Sequence, residues 1–189
     1  MIFVVIKIIV DIHLLNVHNY RYDIMKWQLF FVDRFFLDEN IGGILMVGFY
    51  AGSFDPFTNG HLQIVKKTAK CFKKVIIGIG YNSDKTARID KEQMRKAIEE
   101  TIKEMGLENV EVTLYEGLTV DEAKKQGADI LIRGLRNGTD YQYEENISEM
   151  NEKMAGIDTC YFRAGELGYL SSSFVMELYN HNKPIDEYV

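Results

Sequence analysis

Three short strings in this chain carry side chains suited to holding phosphate. The first is Gly52-Ser53-Phe54-Asp55-Pro56-Phe57-Thr58-Asn59-Gly60-His61. Glycine lets a backbone approach a ligand closely, and a helix start offers N–H donors at the positive end of the helix dipole. His61, on the first turn of a helix beginning at Gly60, sets a ring N–H beside those donors. Ser53 adds a hydroxyl and its own N–H. The string is neither the dinucleotide-binding G-x-G-x-x-G nor a Walker loop. The second string is Arg133-Gly134-Leu135-Arg136. Two guanidiniums flanking a glycine at a strand end make a fixed bidentate anion site. The third, Tyr169-Leu170-Ser171-Ser172-Ser173, reads as a serine-rich helix N-cap. Taken alone, Lys85 is a surface lysine and Thr119 a helix cap.

The elements that must position these strings alternate between strand and helix. Val47–Ala51, Val75–Gly80, Val110–Leu114, Asp129–Ile132 and Thr159–Arg163 read as strands, with the near-continuous apolar character of a buried parallel sheet. Gly60–Phe72 carries Leu62, Val65, Ala69 and Phe72 at helical spacing. Capping-box patterns at Asp90–Gln93, Thr119–Glu122 and Thr139–Gln142 open three more helices. The third of these is expected to bury a stripe of Tyr143, Ile147, Met150 and Met154. Ser171–Asn180 is the last helix. This pattern predicts an α/β fold with an open, mostly parallel five-stranded sheet, covered on both faces. Ligands in such sheets bind beyond the carboxyl ends of the strands, and all three strings fall there.

Composition narrows the function classes. The chain has 189 residues and a net charge of −6, which argues against a nucleic-acid partner. Two cysteines, Cys71 and Cys160, exclude a disulfide framework and a multi-cysteine zinc site. They fit reduced thiols in a cytoplasmic protein. No stretch reaches the roughly 18 uninterrupted apolar residues of a membrane span. Residues 1–45 differ from the rest: they are rich in apolar side chains, and only Gly42 and Gly43 of the 15 glycines fall there. Ile41–Leu45 can be encoded by a purine-rich stretch of the kind that binds ribosomes shortly before a start codon. We expect residues 1–45 to be translated upstream sequence and Met46 the natural start; the alternative is a real extension. An intact Met1 end on the native protein would overturn this.

Thr58-Asn59-Gly60-His61 resembles the T-x-G-H form of the H-x-G-H motif in the nucleotidyltransferase superfamily, which shares ancestry with class I aminoacyl-tRNA synthetases. Arg133–Arg136, followed by Asp140, Tyr143 and Glu144, resembles the bacterial phosphopantetheine adenylyltransferases, over about residues 46–189. That resemblance implies a Rossmann-like, doubly wound single domain at 46–189 that joins ATP to 4′-phosphopantetheine, giving dephospho-coenzyme A and pyrophosphate. It further implies that His61, Lys85 and Arg133 are the catalytic set. Ser53, Lys85, Thr119 and Arg133 would bind the acceptor, with Gly117-Leu118-Thr119 along its pantetheine arm. ATP would meet Ser53, Phe54, His61, Gly134, Leu135, Arg136, Glu144, Leu167, Gly168, Tyr169, Leu170, Ser171, Ser172 and Ser173. The implied cofactor is Mg²⁺ on the triphosphate, with no metal held by the protein. A homohexamer and feedback inhibition by coenzyme A are also implied.

Some positions depart from the family pattern. Ser53 stands where many members have Thr. Arg163–Gly168 lacks the usual aromatic-Ser run, and Met176 replaces a usual Lys. The segment ending at Val189 stops before the family's last helix. Two other readings follow: a related transferase acting on nicotinate mononucleotide or glycerol phosphate, or a degenerate, non-catalytic nucleotide-binding protein.

Overall fold

The computed structural model describes residues 44–81, 88–135 and 138–189. The expectations for residues 1–43, Lys85 and Arg136 therefore lie outside the described residues. Five parallel strands form one sheet in the order β3-β2-β1-β4-β5. They are β1 (Ile44–Gly52), β2 (Phe72–Tyr81), β3 (Val110–Glu116), β4 (Ile130–Leu135) and β5 (Asp158–Arg163). Between them run α1 (Asn59–Ala69), α2 (Lys91–Glu104), α3 (Thr119–Lys125) and α4 (Gly138–Ala155). A 3₁₀ turn at Gly165–Tyr169 leads into α5 (Ser172–Asn180). The order reverses between β1 and β4, the switch point where parallel sheets of this kind bind ligands.

The centre of the sheet is apolar on both faces. Val75, Ile76, Ile77 and Ile79 of β2 are each at most 1% exposed. One face gathers Phe49, Ala51, Ile76, Tyr115 and Leu131 under Val120 and Ala123 of α3. The other receives α1, whose Ile64 reaches the backbone of β4 at Gly134. Gly78 is a close-approach position: a Cβ there would overlap the ring of Phe49, which is fully buried. We expect Gly78→Ala to lower stability by about 1–3 kcal/mol, the usual cost of overpacking. Denaturant unfolding would read this as a lower midpoint, and an unchanged midpoint would contradict it.

Several local expectations are corrected. β1 begins at Ile44, with a register break between Ile44 and Val47. α1 ends at Ala69, and Phe72 opens β2 instead of closing the helix. Leu118, not Thr119, occupies the N-cap of α3 and makes no side-chain cap bond. The Thr119 hydroxyl instead meets the Tyr115 hydroxyl at 2.8 Å, because that buried phenol needs a partner. α4 starts at Gly138, so Thr139 lies inside the helix and is not its cap. Tyr143, Met150 and Met154 are 64%, 62% and 53% exposed, so they are not core. α4 turns Glu144 inward instead, 8% exposed, to meet an arginine of β4. Among the described residues, no helix is long and apolar enough to cross a membrane.

Candidate active site

The start of α1 is organised by a reciprocal cap. Thr58 is the N-cap, and its hydroxyl accepts from the His61 backbone N–H. In return the Thr58 N–H donates to His61 Nδ1 at 3.0 Å. Sequence reading placed both residues in one motif but gave Thr58 no capping role. The signal was a capping-box pattern with His where Glu or Gln is usual. The consequence is chemical. A ring nitrogen that accepts a backbone N–H carries no hydrogen in the neutral imidazole, so Nε2 is the donor. The ring is also fixed by its neighbours, edge-on to Phe54 at 5.1 Å and stacked on Phe57 at 5.6 Å.

Phe54 sits at φ 46°, a left-handed conformation that costs an aromatic residue about 1–3 kcal/mol. Its ring, 2% exposed, packs on Tyr50 and Phe57 and supports this backbone. Gly52 makes room for it, since a Cβ there would lie 2.9 Å from that ring. The loop is then tied to three other segments. The Asp55 carboxylate accepts from the backbone N–H groups of Arg88 and Ile89, both at 3.0 Å. Lys91 Nζ donates to the Ser53 carbonyl at 3.2 Å, and Ser172 Oγ donates to the Pro56 carbonyl at 2.8 Å. Finally, the Asn59 backbone N–H donates to the Tyr188 carbonyl at 2.8 Å and its side-chain amide to the Glu187 carbonyl at 3.0 Å. None of Asp55, Asn59 or Lys91 stood out in the sequence, because their partners are far away along the chain.

Arg133 and Gly134 do not form a loop. They continue β4 as partners of Tyr161 and Phe162 on β5. Arg133 makes a two-pronged pair with Glu144, with Nη2 at 2.8 Å from Oε1, and its Nη1 donates to the Ala51 carbonyl at 3.0 Å. Burial disfavours the cation, but the bonds from Glu144 outweigh it and hold the Arg133 pKa above its ordinary value. Three of the five guanidinium N–H groups are thus directed at protein, leaving two for a ligand. Next to the pair is a cavity of about 180 Å³. Its walls include Leu118 and Thr119 before and within α3, Ile147, Ser148 and Asn151 on α4, and Thr159 on β5. Sequence reading found Thr119 in this wall but not Ser148, Asn151 or Thr159.

The remaining expected residues gather at the same sheet edge. The turn carrying Leu167, Gly168 and Tyr169 lies over the start of α1: a Cβ on Gly60 would be 3.2 Å from the Leu167 carbonyl and 3.4 Å from Leu170 Cβ. Ser171 caps α5, accepting from the Phe174 N–H at 3.1 Å. Ser171 and Ser172 hydroxyls therefore both have protein partners, while Ser173 is exposed. Ser53 is exposed at the end of β1, and Leu135 closes β4. Among the described residues, no three His, Cys, Asp or Glu side chains stand together as a metal cage.

Known proteins resemble this chain in sequence and in fold. The cytidylyltransferase-like family model matches residues 49–180. The phosphopantetheine adenylyltransferase of Lachnoclostridium phytofermentans is 43% identical over 147 residues, covering 77% of this chain and 89% of that protein. That of Flavobacterium johnsoniae is 40% identical, covering 70% of this chain and 86% of that protein. At 16% identity, the nicotinic acid mononucleotide adenylyltransferase of Plasmodium falciparum, solved with NaAD, shares the fold with a TM-score of 0.53 over 76% of this chain and 89% of that one. The family model over residues 49–180 and relatives at this identity and coverage show that the chain belongs to the phosphopantetheine adenylyltransferase family of cytidylyltransferase-like enzymes.

Proposed function

We propose that the protein transfers the adenylyl group of ATP to 4′-phosphopantetheine, giving dephospho-coenzyme A and pyrophosphate. One observation carries the choice of acceptor. The Arg133–Glu144 pair forms part of the wall of a cavity whose other walls are apolar and neutral polar. An anionic head with a long uncharged arm fits that sequence of environments. The acceptor phosphate oxygen attacks the α-phosphorus in line, and pyrophosphate leaves. Since the attacking oxygen is already anionic, the protein need supply only position and charge.

In this reading His61 Nε2–H donates to the α-phosphate as charge develops there. Arg133, Lys85 and Ser53 hold the acceptor phosphate, and Thr119 borders its arm. Arg136, Ser172 and Ser173 take the β- and γ-phosphates. Glu144, Gly134, Leu135 and Phe54 border the nucleotide, with Leu167–Ser171 as its outer wall. The Arg133–Glu144 pair has no net charge, so Lys85 and Arg136 supply the net positive charge and His61 a neutral donor. Mg²⁺ belongs on triphosphate oxygens, which suit a hard cation without a protein cage. Coenzyme A, which shares the acceptor arm and an adenylate, would compete for the same site.

The exposed Tyr143, Met150 and Met154 form one apolar stripe on α4. Such a stripe supports contact with other copies of this chain, in keeping with a homohexamer. Sedimentation of the wild type and of a Met150→Glu/Met154→Glu variant would test that assembly.

The reaction itself is tested by pyrophosphate release from the full chain with ATP, Mg²⁺ and 4′-phosphopantetheine, each omitted in turn. Release should require all three. Silence with this acceptor but turnover with nicotinate mononucleotide or glycerol phosphate would refute the acceptor. Binding of ATP or coenzyme A without turnover on any acceptor would refute catalysis.

A further inference from the structure

Thr159 of β5 is in register with Leu131 of β4. Partners in register point to the same side of a sheet. Both line the cavity beside Arg133, opposite Ser148 and Asn151 of α4. Thr159 is 4% exposed, and among the described residues its hydroxyl oxygen is the one buried side-chain polar atom with no hydrogen-bond partner. Other buried hydroxyls are provided for. Thr68 donates to the Ile64 and Val65 carbonyls, and Tyr115 meets Thr119. A buried hydroxyl without a partner is destabilising, whereas an apolar group of the same shape at that place is neutral or better. Valine has that shape. The empty fold gains nothing from the Thr159 oxygen, so its partner must arrive with whatever fills the cavity.

That cavity admits uncharged polar groups. Its other polar lining, away from the Arg133–Glu144 pair, is hydroxyl and amide: Thr119, Ser148 and Asn151. We propose that the Thr159 hydroxyl hydrogen-bonds an amide of the acceptor's uncharged arm and so selects amide-bearing acceptors; this rests on the adenylyltransferase reading above. The oxygen is sealed in the empty wall. A turn of about 120° about χ1 exchanges hydroxyl and methyl, so it reaches an incoming amide without backbone movement.

The test compares wild type, Thr159→Val and Thr159→Ser in the full chain. Each is measured by thermal unfolding with and without 4′-phosphopantetheine, and by initial rates. Thr159→Val should raise the unliganded Tm by about 2–4 °C, because it removes an unpaired buried oxygen. It should also raise the acceptor KM about tenfold, leaving kcat and the ATP KM unchanged. Thr159→Ser should keep the wild-type KM. With a phosphorylated alcohol of similar length but no amide, wild type and Thr159→Val should show the same KM. An unchanged acceptor KM in Thr159→Val overturns the proposal, as does a lower Tm, which would place the hydroxyl's partner within the fold. A wild type that neither binds nor uses 4′-phosphopantetheine would instead remove the reading on which the proposal stands.

Discussion

His61→Ala should lower kcat by about 10²–10³ while changing ATP affinity only a few-fold. The magnitude is that of deleting one preorganised donor from a transition state that gathers charge on phosphoryl oxygens. The selectivity for kcat follows from how the ring is held. Its Nδ1 takes the Thr58 backbone N–H and lies 3.0 Å from the Thr58 hydroxyl, so the ring is held from one residue of its own helix start. Phe54 and Phe57 fix the plane of the ring before substrate arrives. A donor fixed in advance spends nothing on reorganisation when the phosphorus becomes five-coordinate. Alanine loses the donor but leaves the Thr58 hydroxyl to cap the helix. Turnover and equilibrium ATP binding, measured on the same preparation, separate the two effects. Equal losses in both would make His61 a ground-state binding residue.

Glu144→Ala should be the most damaging single change to the fold among the site residues. It leaves the Arg133 guanidinium, whose side chain is 27% exposed, with its bond to the Ala51 carbonyl but without its counter-charge. Removing one member of a buried pair costs about 3–5 kcal/mol, and the partial exposure of Arg133 favours the lower end. Activity should be lost as well, since the guanidinium is no longer held at the switch point. Arg133→Met with Glu144→Leu separates the causes. Replacing both charges by apolar groups of similar volume should recover most of the stability and none of the turnover. If the double variant is no more stable than Glu144→Ala, the cost lies in packing and not in the stranded charge. If it keeps wild-type turnover, Arg133 has no part in the reaction.

The parallel sheet and the position of the three strings at its carboxyl edge were legible because they depend on local patterns. Val75–Ile79 is apolar without a break, which only a strand buried on both faces explains. The 52–61 string declares a turn and a helix start through Gly, Pro and Thr. What could not be read were choices made between distant segments. Tyr143, Met150 and Met154 keep helical spacing, but whether the stripe faces inward was decided by Arg133, eleven positions before Glu144 on another element. Thr119 has the sequence of a cap, yet the buried Tyr115 hydroxyl claimed it. Thr159 looks like any β-branched strand residue, and only its surroundings show that its oxygen is unpaired.

The grip of Asn59 on Glu187 and Tyr188 joins the beginning of α1 to a segment nearly 130 positions later. During synthesis, the sheet centre of β1, α1 and β2 emerges long before that segment exists. A nascent chain can therefore bury its first strands while the helix start that carries His61 still lacks its last two hydrogen bonds. That helix start is completed only when Tyr188 has cleared the ribosome, so it should be finished later than the sheet centre beneath it.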